Sequence, residues 1–353
     1  MDFTFTRDQT AFRDAMRSFF LVEAAPELLR EMWDTDGSAP ELTAKCAQQG
    51  ITGLSVGESF GGLGLGDVDW VLILEELGYF AIPDSLCDTA YIAAGLISAL
   101  PEHESFKAEW LPRIAEGSAR IAVGHPENRL VADAHLADLL LLGHQNEVHA
   151  VRRDEVTLVA NTSVDPSRRL YGVDWIPKSS TCLANSTIGG DLWLAALDRG
   201  TLATAAQLVG LASRMLDLAI DYTAQRKQFG KPIGSFQAIK HLLADVAVKI
   251  EFAKPHVFRA AHALAHGHAE RGTYLSSAKL AASEAASLAS RNGIQVHGAM
   301  GYTWELDLQM YMKRALALSA SWGDRAFHKN RVAEFVFRES APLGPGNTFN
   351  FND

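Results

Sequence analysis

YTAQRKQFGKPIGSFQ, residues Tyr222 to Gln237, ends a helix in an unusual way and decides how the rest of the chain is read. The preceding segment, TLATAAQLVGLASRMLDLAID, repeats apolar residues at helical spacing through Leu202, Ala206, Val209, Ala212, Leu216 and Ala219. Arg226 and Lys227 are predicted in the last turn, where basic side chains suit the helix dipole. Gly230 then stops the helix and Pro232 prevents its resumption. Phe229 sets a flat ring beside the donors of Arg226, Lys227 and Gln228. That combination suits a flat, anionic ligand.

The chain has 353 residues, 48% of them hydrophobic, enough for two or three domains with sizeable cores. A net charge of −10 and the lack of a basic stripe argue against a nucleic-acid surface. The start, MDFTFTRDQTAFRDAMRSFF, is an amphipathic helix carrying Arg7, Asp8, Arg13 and Asp14, without the apolar core of a signal peptide. No apolar run approaches the roughly 20 residues that span a bilayer. Cys46, Cys87 and Cys182 have no CxxC spacing and read as free thiols in a reducing compartment. These features predict a soluble, cytoplasmic protein.

Helical patterning runs from Asp2 to about Ser118, with short helices over Leu42 to Gly50 and Val68 to Phe80. Strands are predicted at RIAVGH from Arg120, ADLLLLGH from Ala137, EVHAVRR from Glu147 and VTLVANTS from Val156. After Leu192 long alanine-rich helical segments run to Ala341, and the tail PLGPGNTFNFND reads as disordered or as an arm laid on a neighbour. GESFGGLGLGD, Gly57 to Asp67, lacks a strong preceding strand and a GK[ST] ending, so it reads as a tight turn rather than a phosphate loop. His262 and His266 have metal-pair spacing, but Ala263 stands where the metalloprotease motif needs Glu, which favours a solvated helix face. No metal site is expected. No Gly-x-Ser-x-Gly elbow occurs to support hydrolase chemistry.

YTAQRKQFGKPIGSFQAIKHLLADVAVKIE closely resembles the C-terminal domain signature of the flavin-dependent acyl-CoA dehydrogenases. Three further stretches resemble that family in its order. QQGITGLSVGESFGGLGLGDVDWVLILEELG is similar to its helix-turn-helix, WLPRIAEGSARIA to the entry of its β domain, and IQVHGAMGYTWELDLQMYMKRA to a segment that touches a neighbouring subunit's flavin adenine dinucleotide (FAD). The resemblance implies an α+β, mostly helical fold. Its parts are an N-terminal helical domain (1–118), a small, shortened middle β domain (119–191), a C-terminal four-helix bundle (192–341) and a tail (342–353). It also implies α,β-desaturation of an acyl-CoA, with a carboxylate taking the α-proton and the flavin the β-hydride.

The half of the family's machinery that serves a neighbour's FAD is largely present. Arg226 matches the pyrophosphate-binding arginine and Phe229 the adenosine-end aromatic, with Gln228 between them. Gln295 and Gly298 match the Gln and first Gly of QxxGG, while Ala299 replaces the second Gly. Read without the resemblance, Arg226 is a helix-end charge and Gln295 a surface amide.

The half that would hold the chain's own flavin departs from the family. Members usually carry a Thr-Glu-Pro-x-x-Gly-Ser-Asp loop and then a Lys-x-Trp/Phe-Ile-Thr segment. Here AVGHPENRLVADAHLADLLLLG, Ala122 to Gly143, passes almost directly into the next strand, and His125-Pro126-Glu127-Asn128 reads as a remnant. The family's Tyr-Glu-Gly-Thr-x-Gln corresponds to Trp322, Gly323, Asp324 and Ala326, so tryptophan occupies the place of the base. The alternative base position falls on Gly200, with Thr201 in place of a substrate-binding arginine, although Asp198 matches an Asp that contacts the pantetheine arm. No catalytic residue is assigned to this chain.

The resemblance therefore implies one subunit of a heteromeric acyl-CoA dehydrogenase, of α2β2 type, acting on an acyl-CoA. A second acyl-CoA dehydrogenase-like subunit would supply the base. Similar split enzymes act on CoA thioesters of steroid side chains. Two alternatives stay open: a self-sufficient homotetramer using Asp324 or Glu305 as base, and a scaffold of the same fold that binds no flavin.

Overall fold

In the computed structural model of the chain, residues 4–339, Ala341 and Gly344 are described. The predicted tail, 342–353, therefore lies outside the described residues apart from Gly344. The fold is α+β and mostly helical. Among the described residues, seven helices come first: α1 (Arg7–Glu23), α2 (Pro26–Asp34), α3 (Pro40–Gln48), α4 (Asp67–Tyr79), α5 (Asp84–Cys87), α6 (Ala94–Ser98) and α7 (Glu104–Ala115). A π-helical turn, Asp88–Ala93, links α5 to α6. The glycine-rich stretch is a turn, with a short 3₁₀ segment at Glu58–Phe60 and left-handed Gly61 and Gly64. It ends where α4 begins.

Seven strands follow: β1 (Ile121–Gly124), β2 (Val131–Ala132), β3 (Leu139–His144), β4 (Glu147–Arg152), β5 (Thr157–Asn161), β6 (Leu170–Asp174) and β7 (Cys182–Ala184). They form one sheet of order β1-β3-β4-β7 and another of order β2-β6-β5. β1 and β3 run parallel, while β3 and β4 are an antiparallel hairpin. Its two-residue turn, Gln145-Asn146, has both residues at positive φ, as the right-handed twist of paired strands requires. Ala122, Val131, Leu140, Leu142, Val151 and Val156 pack the core of this region.

The last third is helical: α8 (Ser186–Gln225), α9 (Gln237–Ala265), α10 (Arg271–His297), α11 (Leu308–Ser319) and α12 (Arg325–Val336). Between α8 and α9 lies a small hairpin, β8 (Lys227–Gln228) and β9 (Lys231–Pro232). Two compact units are distinguished within the chain, one of Met1–Arg17, Val71–Phe80 and Thr201–Asp353, the other of Ser18–Trp70 and Ala81–Gly200. In the first, Ala278, Ala282, Ala285, Ala286 and Ala289 make a fully buried stripe along α10 at helical spacing. Such small side chains let helix backbones approach closely, and α10 packs most extensively on α9. Among the described residues, no helix is long and apolar enough to cross a membrane.

Candidate functional site

Arg226, Gln228 and Phe229 lie at the end of α8, and the structure corrects the predicted helix end. The helix stops at Gln225, so Lys227 is a strand residue rather than part of the last turn. The Arg226 amide still donates to the Tyr222 carbonyl (2.9 Å), and the Arg226 carbonyl accepts from the Ile233 amide (2.8 Å). The cause is the tight pairing of Lys227 with Pro232 and Gln228 with Lys231, which turns the chain through Phe229 and Gly230. Both turn residues are left-handed, with φ of 53° and 79°. That conformation costs glycine nothing, but a bulky aromatic residue adopts it against steric preference. Phe229 is nonetheless 91% exposed. A strained, solvated ring at a hairpin tip is not explained by the packing of this chain.

Gln295 and Gly298 lie at the C-terminal end of α10. Gly298 has φ 62° and ψ −137°, a backbone conformation open to glycine alone, and no atom lies within 4 Å of where a Cβ would stand. Its amide donates to the last helical carbonyls, Ile294 and Gln295. Ala299 has no positive φ, so its methyl group brings no backbone strain. Gln295, Gly298 and Ala299 are all exposed, as are Arg226 and Gln228.

Tyr222 and His297 bring these two segments to one end of the helical unit. Their rings stack at 4.2 Å and 27°, and the Tyr222 hydroxyl donates to the His297 carbonyl (3.4 Å). His297 in turn donates through Nδ1 to the Gly293 carbonyl (2.7 Å), and burial holds its pKa below the usual imidazole value. A neutral ring therefore stacks on Tyr222 across the physiological range. Sequence reading missed this pair, although Tyr222 opens the motif and His297 directly precedes Gly298. The resulting surface offers a guanidinium, two side-chain amides, an open glycine backbone and an exposed ring. These donors and this flat face fit the pyrophosphate and adenine of a dinucleotide.

Trp322 presents the opposite picture. It is 3% exposed and sits at φ 56°. Its carbonyl accepts from His328 Nε2 (3.0 Å) and from the Thr201 hydroxyl (3.4 Å). His328 Nδ1 pairs with the Ser276 hydroxyl (3.0 Å), so one ring nitrogen donates and the other accepts, as in a neutral imidazole. Burial, with Lys279 nearby, pushes the His328 pKa down to about 4. Lys279 Nζ donates to Thr204 Oγ1 (2.5 Å) and to the carbonyls of Leu318 (2.7 Å) and Ser321 (3.0 Å). Three donors meet three acceptors, so the buried ammonium is fully satisfied.

Asp324 is exposed, and its carboxylate accepts from the Phe327 amide (2.8 Å) as the N-cap of α12. The carboxylate thus holds a helix start. Glu305 is exposed as well.

In the His125-Pro126-Glu127-Asn128 turn the histidine is buried while Pro126 and Glu127 are exposed. His125 donates through Nε2 to the Trp193 carbonyl (3.0 Å), accepts through Nδ1 from the Glu127 amide (3.0 Å), and meets the Trp193 ring edge-on. Burial pushes its pKa down to about 4, so it is neutral and structural rather than ligand-directed at neutral pH. Asp198 is buried as well.

With this geometry in hand, the family is settled by comparison. Residues 6–118 match the N-terminal domain of acyl-CoA dehydrogenases and residues 189–337 the C-terminal domain. The acyl-CoA dehydrogenase IpdE2 of Mycolicibacterium smegmatis is 34% identical over 338 residues, covering 94% of this chain and all of the relative. The Mycobacterium tuberculosis IpdE2 is 32% identical, covering 87% of this chain and 91% of the relative. In fold, the chain is similar to butyryl-CoA dehydrogenase from Megasphaera elsdenii, at a TM-score of 0.85 and 23% identity over 96% of this chain and all of that one. It is also similar to a chain of the ChsE4-ChsE5 complex from Mycobacterium tuberculosis, at a TM-score of 0.84 and 20% identity over 98% of this chain and all of that one. The chain belongs to the acyl-CoA dehydrogenase family of oxidoreductases.

Proposed function

We propose that this chain is one subunit of a heteromeric, FAD-dependent acyl-CoA dehydrogenase and closes the adenosine and pyrophosphate end of a shared cofactor site. The observation that carries the proposal is the surface joined by Tyr222 and His297, with Arg226, Gln228, Phe229, Gln295 and Gly298 all solvent-facing. Arg226 would pair with the pyrophosphate through charge-assisted hydrogen bonds, and Gln228, Gln295 and the open backbone at Gly298 would complete the cradle. Phe229 would cover the adenine. The flavin supplies hydride acceptance when bound.

Among the described residues, no base is assigned at the place the family's glutamate holds, which here is Trp322. Tryptophan has no proton-accepting group, and Asp324 is committed to capping α12. A partner subunit of the same family would therefore supply the carboxylate and the wall of the flavin ring, in an α2β2 assembly. The similarity to IpdE2 supports an acyl-CoA as the substrate, and the resemblance to split enzymes that act on steroid side-chain CoA thioesters makes that class the one to test. The division into 1–118, 119–191 and 192–341 is retained as the proposed domain organisation.

Flavin absorbance and activity test the proposal together. The lone chain is expected to purify colourless and to leave acyl-CoA unoxidised. Co-expressed with its cognate partner, it should yield one FAD per heterodimer and phenazine-coupled turnover of a steroid side-chain CoA thioester. A yellow, active homo-oligomer would overturn it.

A further inference from the structure

The sheet β1-β3-β4-β7 carries a second feature, unrelated to the cofactor surface. Glu147 and His149 are two residues apart on β4 and so point to one face of the sheet. Cys182 on β7 is the direct cross-strand partner of His149, and the register slips between Val148 and His149, a bulge of the kind that re-aims side chains. The carboxylate, an imidazole nitrogen and the thiol lie within 4.8 Å of one another.

The hydrogen bonds around His149 decide what the site can hold. The Thr181 hydroxyl has one proton and donates it to the Lys178 carbonyl (2.9 Å). It can then only accept from His149 Nδ1, 3.0 Å away. With its proton on Nδ1, a neutral His149 turns the bare lone pair of Nε2 toward the Glu147 carboxylate at 3.1 Å. Two acceptors face each other, and His149 is 1% exposed, so water does not separate them. A cation held between Nε2 and the carboxylate would satisfy both acceptors at once.

Cys182 completes the set, since carboxylate, imidazole and thiolate are three ligand types that zinc accepts together, and its thiol otherwise donates to the Ala184 carbonyl (3.4 Å). In a tetrahedral zinc site, ligand atoms stand about 3.3–3.7 Å apart. Glu147 and His149, at 3.1 Å, are within a few tenths of an ångström of that separation, and the sulfur, within 4.8 Å of both, has at most roughly 1.5 Å to close. Thr181 supplies the outer hydrogen bond that fixes the ring's tautomer, as partners of metal-bound histidines commonly do. We propose that Glu147, His149 and Cys182 bind a structural divalent cation of the zinc class, with water in the fourth position. It would clip β7, held to β4 by two paired positions, at the entry to α8. Trp193, on the first turns of α8, already donates to the Glu147 carbonyl (3.0 Å).

The full-length chain, stripped with chelator and titrated with Co²⁺, tests this. A thiolate-to-cobalt charge-transfer band in the near ultraviolet is expected at one equivalent, displaced by Zn²⁺. Cys182→Ser should abolish the band, and Glu147→Gln should weaken Zn²⁺ binding by at least roughly 10- to 100-fold, as loss of even outer-shell partners does. Both positions are partly exposed, so the fold should tolerate these changes. Absence of the band in the wild type overturns the proposal in favour of an imidazolium–carboxylate pair. Cobalt binding without sulfur character that survives Cys182→Ser also overturns it, and assigns the metal to nitrogen ligands such as His262 and His266, whose rings stack at 4.0 Å.

Discussion

The hairpin end of α8 and the corner around Trp322 belong to the same helical unit, yet they follow opposite rules. At the hairpin, polar groups and an aromatic ring face solvent, and Phe229 holds a conformation that favours glycine. At Trp322, by contrast, every polar group so far described has a partner: Lys279 meets three acceptors, and His328 uses both ring nitrogens. Folding alone accounts for the second region, because buried polar groups must be hydrogen-bonded. It does not account for the first, where strain and exposed apolar surface are kept without return inside the chain. The difference separates a surface shaped for something outside the subunit from a position closed by its own packing.

The largest effect is expected from forcing the closed corner to behave like an active site. Trp322→Glu removes a buried indole and places a carboxyl group among satisfied partners. Truncating a buried tryptophan typically costs roughly 3–5 kcal/mol, and an unpaired charge adds to that. We expect a large fall in the urea midpoint and no dehydrogenase activity in the lone chain. Measurable desaturation of an acyl-CoA by that variant would break the contrast, since the corner would then be a catalytic site lacking only its base.

A second effect follows from the neutrality of His328. In the unfolded chain a histidine titrates near 6.5, whereas burial lowers the folded value to about 4. Between these values the unfolded state binds a proton that the folded state refuses. The contribution is therefore fully present above pH 6.5 and is lost as pH falls toward 4, by roughly 2–3 kcal/mol after allowing for incomplete burial. His125 acts with the same sign, and Glu75, pushed up by burial to about 7, acts with the opposite one. The informative quantity is thus a difference between proteins. His328→Gln should lose less stability than the wild type between pH 6.5 and pH 4, measured by denaturant unfolding at each pH. Parallel pH profiles would show that His328 titrates in the folded chain as it does in the unfolded one.

Arg226→Ala probes the other region. Charge-assisted hydrogen bonds contribute roughly 1.5–3 kcal/mol each, so FAD retention by the heteromeric complex should weaken by roughly 10- to 100-fold. Arg226 is exposed and lies just past α8, so its truncation should leave the helix and the assembly intact. Unchanged FAD after dialysis, with the complex intact, would reduce Arg226 to a helix-end charge.

Much of this architecture was legible in the sequence, and the exceptions have physical causes. β1, β3, β4 and β5 were visible because each is a run of apolar or β-branched residues between turn signals. β6 was not, since Gly172 interrupts LYGVD, and β7 is only three residues long. The predicted helical start, after Leu192, falls later than the observed start of α8 at Ser186 because Gly189-Gly190 lowers the local helix propensity. A Cβ on Gly189 would lie 2.0 Å from the Asn146 carbonyl, so the glycine serves a close tertiary approach that local propensity cannot report. The ligand-facing residues could be named because a motif carried them. The Tyr222–His297 stack could not, since it joins residues 75 positions apart.

The smallest expected effect is also the sharpest. Phe229-Gly230 occupies a two-residue turn whose preferred sequence is Asn-Gly, because asparagine tolerates left-handed φ far better than phenylalanine does. The Phe229 ring is almost fully exposed and has little packing to lose, its one ring neighbour being Phe236 at 6.2 Å among the described residues. Phe229→Asn should therefore stabilise the isolated chain by roughly 0.5–1 kcal/mol, read as a raised urea midpoint with an unchanged slope. In the heteromeric complex the same change should weaken FAD retention, because a small amide cannot cover an adenine face. Opposite signs in the two measurements would mark a residue held against stability for the sake of a ligand. If the variant is more stable and FAD retention is unaffected, the ring has no part in the shared site, and the hairpin's exposure needs another cause.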